Sequence, residues 1–366
     1  MKRFNTIDCK EIHAASMAVQ EAADDHSPLS GYIGSKSFGG TWCVALEAVW
    51  RETFGTKHAI AVNSATSGLL AACMAVGVEH NDEVIVSPYT MSATAAAPKI
   101  LGAKIVFADI EPETFSIDPV EVSNAITPKT KAVIATNLFG HPAHLHELRD
   151  ICNDRCVYLI EDNAQAIFAK EDGVYTGTMG HIGVFSLNVH KHLQVGEGGV
   201  CVTNNAELAK KMREAMNHGE MRGGILGLNL RMTEVTAAMA YEQLQKAEHI
   251  IESRIDFAEA ISYHAKKKGL PITPPVRRDG CDHVYYCWAG LLQKGPIREL
   301  PEPFRRGYMA PLWSWNAFKT KFNGWEPAYQ GVVEKIEREI VLVEICSIDP
   351  TDSEIIQMVE QLGRAF

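Results

Sequence analysis

The chain has 366 residues, 46% of them hydrophobic and 22% charged, the make-up of a soluble globular protein of about two domains. Its net charge of −10 argues against general binding to nucleic acid or anionic membranes, which needs concentrated Lys and Arg. The opening MKRFNTIDCKEIHAAS lacks the apolar stretch of a secretory leader, and no run approaches the eighteen or so apolar residues of a membrane span, so a cytoplasmic protein is expected.

The nine cysteines are scattered and odd in number. Cys152 and Cys156, the closest pair, lack both the spacing and the partner pair of a zinc site, so reduced structural thiols are expected.

From about residue 55 to residue 250 short β-branched runs alternate with amphipathic or Ala-rich stretches. AIAV (59–62), EVIVS (83–87), KIVFA (104–108), KAVIAT (131–136) and VYLIE (157–161) read as strands. Apolar strands without strict alternation, each followed by a helix, predict a mostly parallel sheet covered on both faces. Ligands of such sheets sit beyond the carboxyl ends of the strands. NSATSG follows the first strand, and EDNAQA falls at the end of the fifth.

In NSATSG the small residues Ser64, Ala65, Thr66, Ser67 and Gly68 close a strand and open a helix. Free backbone N–H groups and the positive helix end then converge on one point suited to a phosphate. An ordinary helix cap is the competing reading. Further on, HPAHLHEL offers His141, His144 and His146, whose spacing shares no helix face, and a solvated helix start is expected there. GTMGHIG fails the spacing of the dinucleotide fingerprint and precedes a strand where that motif needs a helix, so a nicotinamide site is rejected.

FSLNVHKHLQVGEGG follows, with Ser186 five residues before Lys191. The stretch from about Thr233 to Arg254 has helical periodicity with Thr233 as N-cap, and is read as a link between two domains. Residues 1–250 are assigned to a large domain that includes an N-terminal arm, and residues 251–366 to a smaller α/β domain containing the strand-like HVYYCWAGLL. Lys266 to Lys268, Arg305 and Arg306 are read as solvated. Trp313 and Trp315, in PLWSWNAF, stack on a base or sugar or fill the small-domain core, and core is the default.

Lys191 on a Gly-rich turn, with an acid and an amide carried by a preceding strand end, is the set that pyridoxal phosphate chemistry requires. The lysine holds the aldehyde and serves as a base once released; an acid keeps the pyridine nitrogen protonated so that the ring takes up electrons. Asp162 fits the acid, since a carboxylate buried at a strand end is costly without a cationic partner. Gln165, three residues on, is placed to bond the ring hydroxyl or to serve as a structural amide.

EDNAQA, FSLNVHKHLQVGEGG and GLNLRMTEVTAAMAYEQL, in this order, resemble the DegT/DnrJ/EryC1/StrS family of sugar aminotransferases, which have the fold type I architecture. The resemblance runs from about residue 28 to the C-terminus and takes in NSATSG, EVIVSPYTMSAT, GAKIVFADIEPETFSIDP and TNLFGHPAH. It implies an α/β fold, a large domain with a seven-stranded mostly parallel sheet and a smaller C-terminal α/β domain. Lys191 would be the Schiff-base lysine, Asp162 the partner of the pyridine nitrogen and Gln165 a contact of the ring hydroxyl. Ala65, Thr66, Ser67 and Ser186 would hold the phosphate of pyridoxal 5'-phosphate. Asn229 would reach the phosphate of a neighbouring subunit in a homodimer with shared active sites, its alternative being a loop amide. Met91 stands where many relatives place an aromatic residue over the cofactor.

The resemblance further implies transfer of an amino group from L-glutamate or L-glutamine to a keto group of a sugar, most often nucleotide-linked. Three rivals are a sugar dehydratase of the same fold, in which histidine takes the lysine position, an aminotransferase of a cyclitol or other ketone, and a non-catalytic cofactor-binding regulator.

Overall fold

The computed structural model describes residues 5–24, 29–30, 40–219, 224–293, 299–318, 331–345 and 351–366. The start of the stretch over which the resemblance runs, at residue 28, lies outside them. The strands are β1 (His58–Val62), β2 (Glu83–Val86), β3 (Lys104–Phe107), β4 (Thr130–Thr136), β5 (Tyr158–Asp162), the short β6 (Lys170–Glu171) and β7 (Val174–Tyr175), β8 (Ile182–Ser186) and β9 (Gly199–Thr203). The C-terminal stretch adds β10 (Ile272–Thr273), β11 (Cys281–Asp282, paired with β6), β12 (Cys287–Leu292), β13 (Phe304–Arg306) and β14 (Ile340–Glu344).

Seven of these form one sheet in the order β1-β9-β8-β5-β4-β2-β3. All of its pairings are parallel except those of β9 with its two neighbours. Each of the five strands read from the sequence is present within a residue or two of its expected ends. The carboxyl ends of β1, β8, β5, β4 and β2 therefore share one edge of the sheet.

Along β1 the side chains alternate between two cores. Ile60 and Val62 pack with the helices α3 (Ala65–Ala75), α4 (Ala93–Ile100) and α7 (Ala206–Met216). Ala59 and Ala61 pack with α2 (Thr41–Phe54) and α8 (Glu234–Gln245). That two-faced burial is why the strands read as continuous apolar runs. Gly68 lets α3 lie directly on the sheet: a Cβ there would stand 2.7 Å from Cys201 Sγ and 2.8 Å from Val184 Cγ1. The far face is locked by Glu234, whose carboxylate accepts from the N–H groups of Gly40 and Trp42 at the start of α2.

The helix expected over 233–254 is two helices. Thr233 caps α8 as predicted, its hydroxyl accepting from Thr236 N at 3.3 Å. The chain then kinks at Lys246, where φ is −110° and ψ 13°, before α9 (Ala247–Lys267). The periodicity hides this break because both helices bury the same side. Lys246 Nζ reaches Glu11 and Asp8 at 2.7 and 2.8 Å, tying the junction to α1 (Cys9–Asp24).

A four-stranded sheet, β10-β12-β14-β13, packs against α9 and α11 (Asp352–Gly363). The strand in HVYYCWAGLL begins only at Cys287; residues 283–286 instead run as a connector whose N–H groups at Val284 and Tyr286 donate to Gly140 and Phe139 carbonyls. Two other expectations fail. Trp315 is 37% exposed and not in the core, whereas Trp313 is partly buried against Phe107. His141 is buried and not solvated: its Nε2 accepts from Arg278 N at 3.2 Å, while His144 bridges Arg278 and Glu111. Arg278, from the PITPPVRRDG stretch, supplied partners that spacing along HPAHLHEL gave no hint of.

Candidate active site

Three segments meet at the shared carboxyl edge of the sheet. The first is the turn from β1 into α3. Ser64 caps the helix, its Oγ accepting from Ser67 N at 3.1 Å and donating to Ser67 Oγ at 3.0 Å. Ser67 keeps its own hydroxyl proton, and the N–H groups of Ala65 and Thr66 have no acceptor among the described residues. Gly199 pairs with Val62 on one side and with Ser186 on the other. A Cβ on Gly199 would lie 2.8 Å from Ala65 N and 2.7 Å from Phe185 O. Only a glycine permits the helix start to sit this close to the strand end, which brings Ala65, Thr66 and Ser67 near Ser186.

The second segment carries Asp162, the last residue of β5 and 4% exposed. Its Oδ2 accepts from Thr94 Oγ1 at 2.7 Å and its Oδ1 from Ala164 N at 3.2 Å. Burial pushes its carboxyl above the usual range, while the Thr94 hydroxyl and the positive charge of Lys191 work against that. A bound cation would work in the same direction as Lys191. The adjacent Glu161, on the opposite face, is occupied structurally: it accepts from Gly177, Met179 and Gly180 N–H groups and so folds the GTMG loop around itself.

Lys191 lies on the third segment, the turn after β8, with its N–H on Asn188 O. Burial lowers its ammonium to about 8, with Asp162 pulling the other way. Its Nζ sits over the ring of Tyr286, 4.5 Å from the centroid. Tyr286 is fixed in turn by the buried Arg254, which donates to the carbonyls of Tyr285 and Tyr286 at 3.2 and 2.6 Å. The histidine that follows the lysine, His192, is fully buried with Nε2 2.9 Å from Val284 O.

Gln165 is 2% exposed and engaged at both ends. Its Oε1 accepts from Phe139 N at 2.9 Å, holding a residue with φ of 57°, and its Nε2 donates to Tyr308 Oη at 3.0 Å. One amide proton remains for a further acceptor. Tyr308 arrives from the segment after β13, which crosses back to the large sheet: Tyr308 N donates to Tyr89 Oη and Leu312 N to Pro88 O. Met91 is 48% exposed, on the loop that enters α4. Asn229 is exposed beside the same chain's Asn63, whose Nδ2 lies 3.5 Å from the Asn229 carbonyl.

Sequence reading missed Thr94, Tyr286 and Tyr308. For Thr94 a signal existed, since TMSAT places a hydroxyl in the first turn of a helix at the sheet edge. For the two tyrosines none did, because only the crossing of the C-terminal chain brings them to Lys191 and Gln165.

A model of the DegT/DnrJ/EryC1/StrS aminotransferase family matches residues 34–306. The chain belongs to this family. It is 33% identical over 270 residues to a GDP-perosamine synthase of Vibrio cholerae, covering 72% of each chain. To the GDP-perosamine synthase of Escherichia coli O157:H7 it is 31% identical over 277 residues, covering 74% of each. Among solved structures, an aminotransferase from Psychrobacter cryohalolentis superposes with a TM-score of 0.86 at 25% identity, over 98% of this chain and 96% of that one. The protein is thus a pyridoxal-phosphate-dependent aminotransferase of fold type I. The residues at the sheet edge fit that cofactor. Among the described residues, the N–H groups at the start of α3 have no acceptor and Asp162 is a buried carboxylate that bonds no arginine or lysine, while burial lowers the Lys191 ammonium to about 8. No helix among the described residues is long and apolar enough to cross a membrane.

Proposed function

We propose that the protein moves an amino group from L-glutamate or L-glutamine to a keto group of a sugar, most often one linked to a nucleotide. The observation that carries the sugar acceptor is the similarity, over about three quarters of the chain, to proteins named GDP-perosamine synthase. The bound cofactor supplies an electron sink that makes the donor's α-proton labile.

The chain's own residues divide the remaining work. Lys191 would hold the cofactor through its amine and, when free, would serve as the base that moves a proton at the donor carbon. Its depressed pKa of about 8 suits a base near neutral pH. Asp162 holds the ring nitrogen's proton. Gln165 offers its remaining N–H to the ring hydroxyl while keeping Tyr308 and Phe139 in place. Ala65, Thr66, Ser67 and Ser186 receive the phosphate at the positive end of α3. Met91 covers the cofactor with a thioether where relatives use an aromatic ring, and the exposed Asn229 reaches toward the phosphate of a second subunit in a homodimer. The large domain, 1–250, contributes the sheet edge, and the small domain, 251–366, contributes Tyr286 and Tyr308.

Lysine at position 191, and not histidine, favours transfer over sugar dehydration. A panel of acceptors tests the reading: nucleotide-linked ketosugars, free ketosugars and cyclitol ketones, each with L-glutamate, with 2-oxoglutarate release as the signal. Turnover confined to the cyclitol ketones would overturn the sugar acceptor and leave the aminotransferase intact.

A further inference from the structure

The carboxylate of Asp162 stands at the end of a file of three buried threonines. Thr94 Oγ1, in the first turn of α4, donates to it at 2.7 Å. Thr90 Oγ1 lies 3.1 Å from Thr94 Oγ1 and 3.0 Å from Thr136 Oγ1. Thr90 and Thr94 have no exposed surface and Thr136 has 3%. They come from three elements: Thr90 from the loop after β2, Thr94 from α4, and Thr136 from the end of β4, where it pairs in register with Asp162 itself.

A hydroxyl has one proton, and an ionised carboxylate only accepts. With Asp162 charged, the Thr94 proton is committed to it. The contact between Thr90 and Thr94 is then filled only by Thr90 donating, and the contact between Thr136 and Thr90 only by Thr136 donating. All three hydroxyl dipoles point toward the carboxylate, and each strengthens the next in a low-dielectric surround. A protonated Asp162 carries a donor of its own and no longer imposes this order. The positive end of α4 adds to the preference for the charged form. Among the described residues, the other titratable groups facing Asp162 are Lys191 and Tyr308.

We propose that Thr90 and Thr136, neither of whose hydroxyls touches the Asp162 carboxylate, are positioning residues that act through Thr94 to hold Asp162 as a carboxylate before the cofactor arrives. The consequence for cofactor binding rests on the reading of Asp162 as the partner of the ring nitrogen; the relay itself does not.

The test uses Thr90→Val and Thr136→Val, which keep the shape and remove the hydroxyl, with Thr90→Ser as the restoring variant. In the cofactor-free protein, carboxyl carbon NMR of labelled aspartate, assigned with Asp162→Asn, reads the Asp162 midpoint directly. Both valine variants are expected to raise it by about half a unit or more, and the serine variant to return it to the native value. Pyridoxal phosphate affinity, followed by fluorescence quenching, is expected to lose its acid limb at a correspondingly higher pH. A folded Thr90→Val or Thr136→Val protein with an unmoved midpoint would overturn the relay. If the midpoints move and Asp162→Asn binds the cofactor as tightly as the native protein, the relay stands and the role of Asp162 toward the ring falls.

Discussion

Lys191 Nζ lies 4.5 Å from the centroid of the Tyr286 ring, on its face. The contact joins the turn after β8 to the connector that enters the smaller sheet, so this buried amine is seated by a residue nearly a hundred positions away in the chain. An ammonium over an aromatic face is stabilised by roughly 0.5–2 kcal/mol, which holds the proton on. Tyr286→Leu should therefore lower the Lys191 midpoint by up to about one unit. Tyr286→Phe, which keeps the face, should leave it in place. Rates of amine labelling at Lys191 in cofactor-free protein across pH, read by peptide mapping, distinguish the two.

In the native protein the same labelling rate should bend at about pH 8, against 10.5 for an ordinary lysine. Between these values the unfolded chain binds more protons than the folded one, so this group's contribution to stability rises as pH climbs from about 8 to 10.5. Urea midpoints of the cofactor-free protein should show that rise, and Lys191→Met should flatten it.

Gly199 separates the start of α3 from the end of β8, and a Cβ there meets Ala65 N and Phe185 O below 3 Å. Gly199→Ala should push the helix start away from Ser186 and weaken phosphate capture. Affinity for pyridoxal phosphate is expected to fall by about tenfold or more, the loss of one or two charge-assisted hydrogen bonds. Affinity for unphosphorylated pyridoxal should change much less; equal losses for both would contradict the placement of the phosphate.

Much of this was legible in the chain because the signals were local. The five apolar runs from 59 to 161 are strands since each is buried on both faces, and Thr233 caps α8 through a bond to a residue three positions on. Asp162, Lys191 and the Ser64–Ser67 turn are all at strand ends, where sheet topology alone sends them to one edge. What stayed hidden depends on distant partners. His141 reads as a surface residue until Arg278 is folded against it, and Tyr308 reads as part of the small domain until its segment crosses to Tyr89 and Gln165. Lys246, where the two helices meet, is paired with Glu11 and Asp8 from near the start of the chain.

Buried neutral histidines give the protein an acid-sensitive joint between Gly140 and the 283–286 connector. Burial lowers His141 to about 4, and it lowers His192 and His283 well below their usual value. Because the unfolded chain takes up these protons first, stability should fall as pH drops below about 6.5 and continue falling toward 4. His141→Gln, which cannot charge, should shallow the slope of denaturant midpoint against pH in that window. An unchanged slope would assign the acid sensitivity to other groups.

We propose that Lys191 carries the cofactor and is released by an amino donor. Borohydride reduction of the pyridoxal phosphate-loaded protein, with peptide mapping before and after L-glutamate, reads this on the residue itself. A pyridoxyl group should be fixed on Lys191 before the donor is added, that labelling should be lost together with the change in visible absorption after it, and neither should occur in Lys191→Ala. A label fixed at another lysine, or turnover retained by Lys191→Ala, would contradict it.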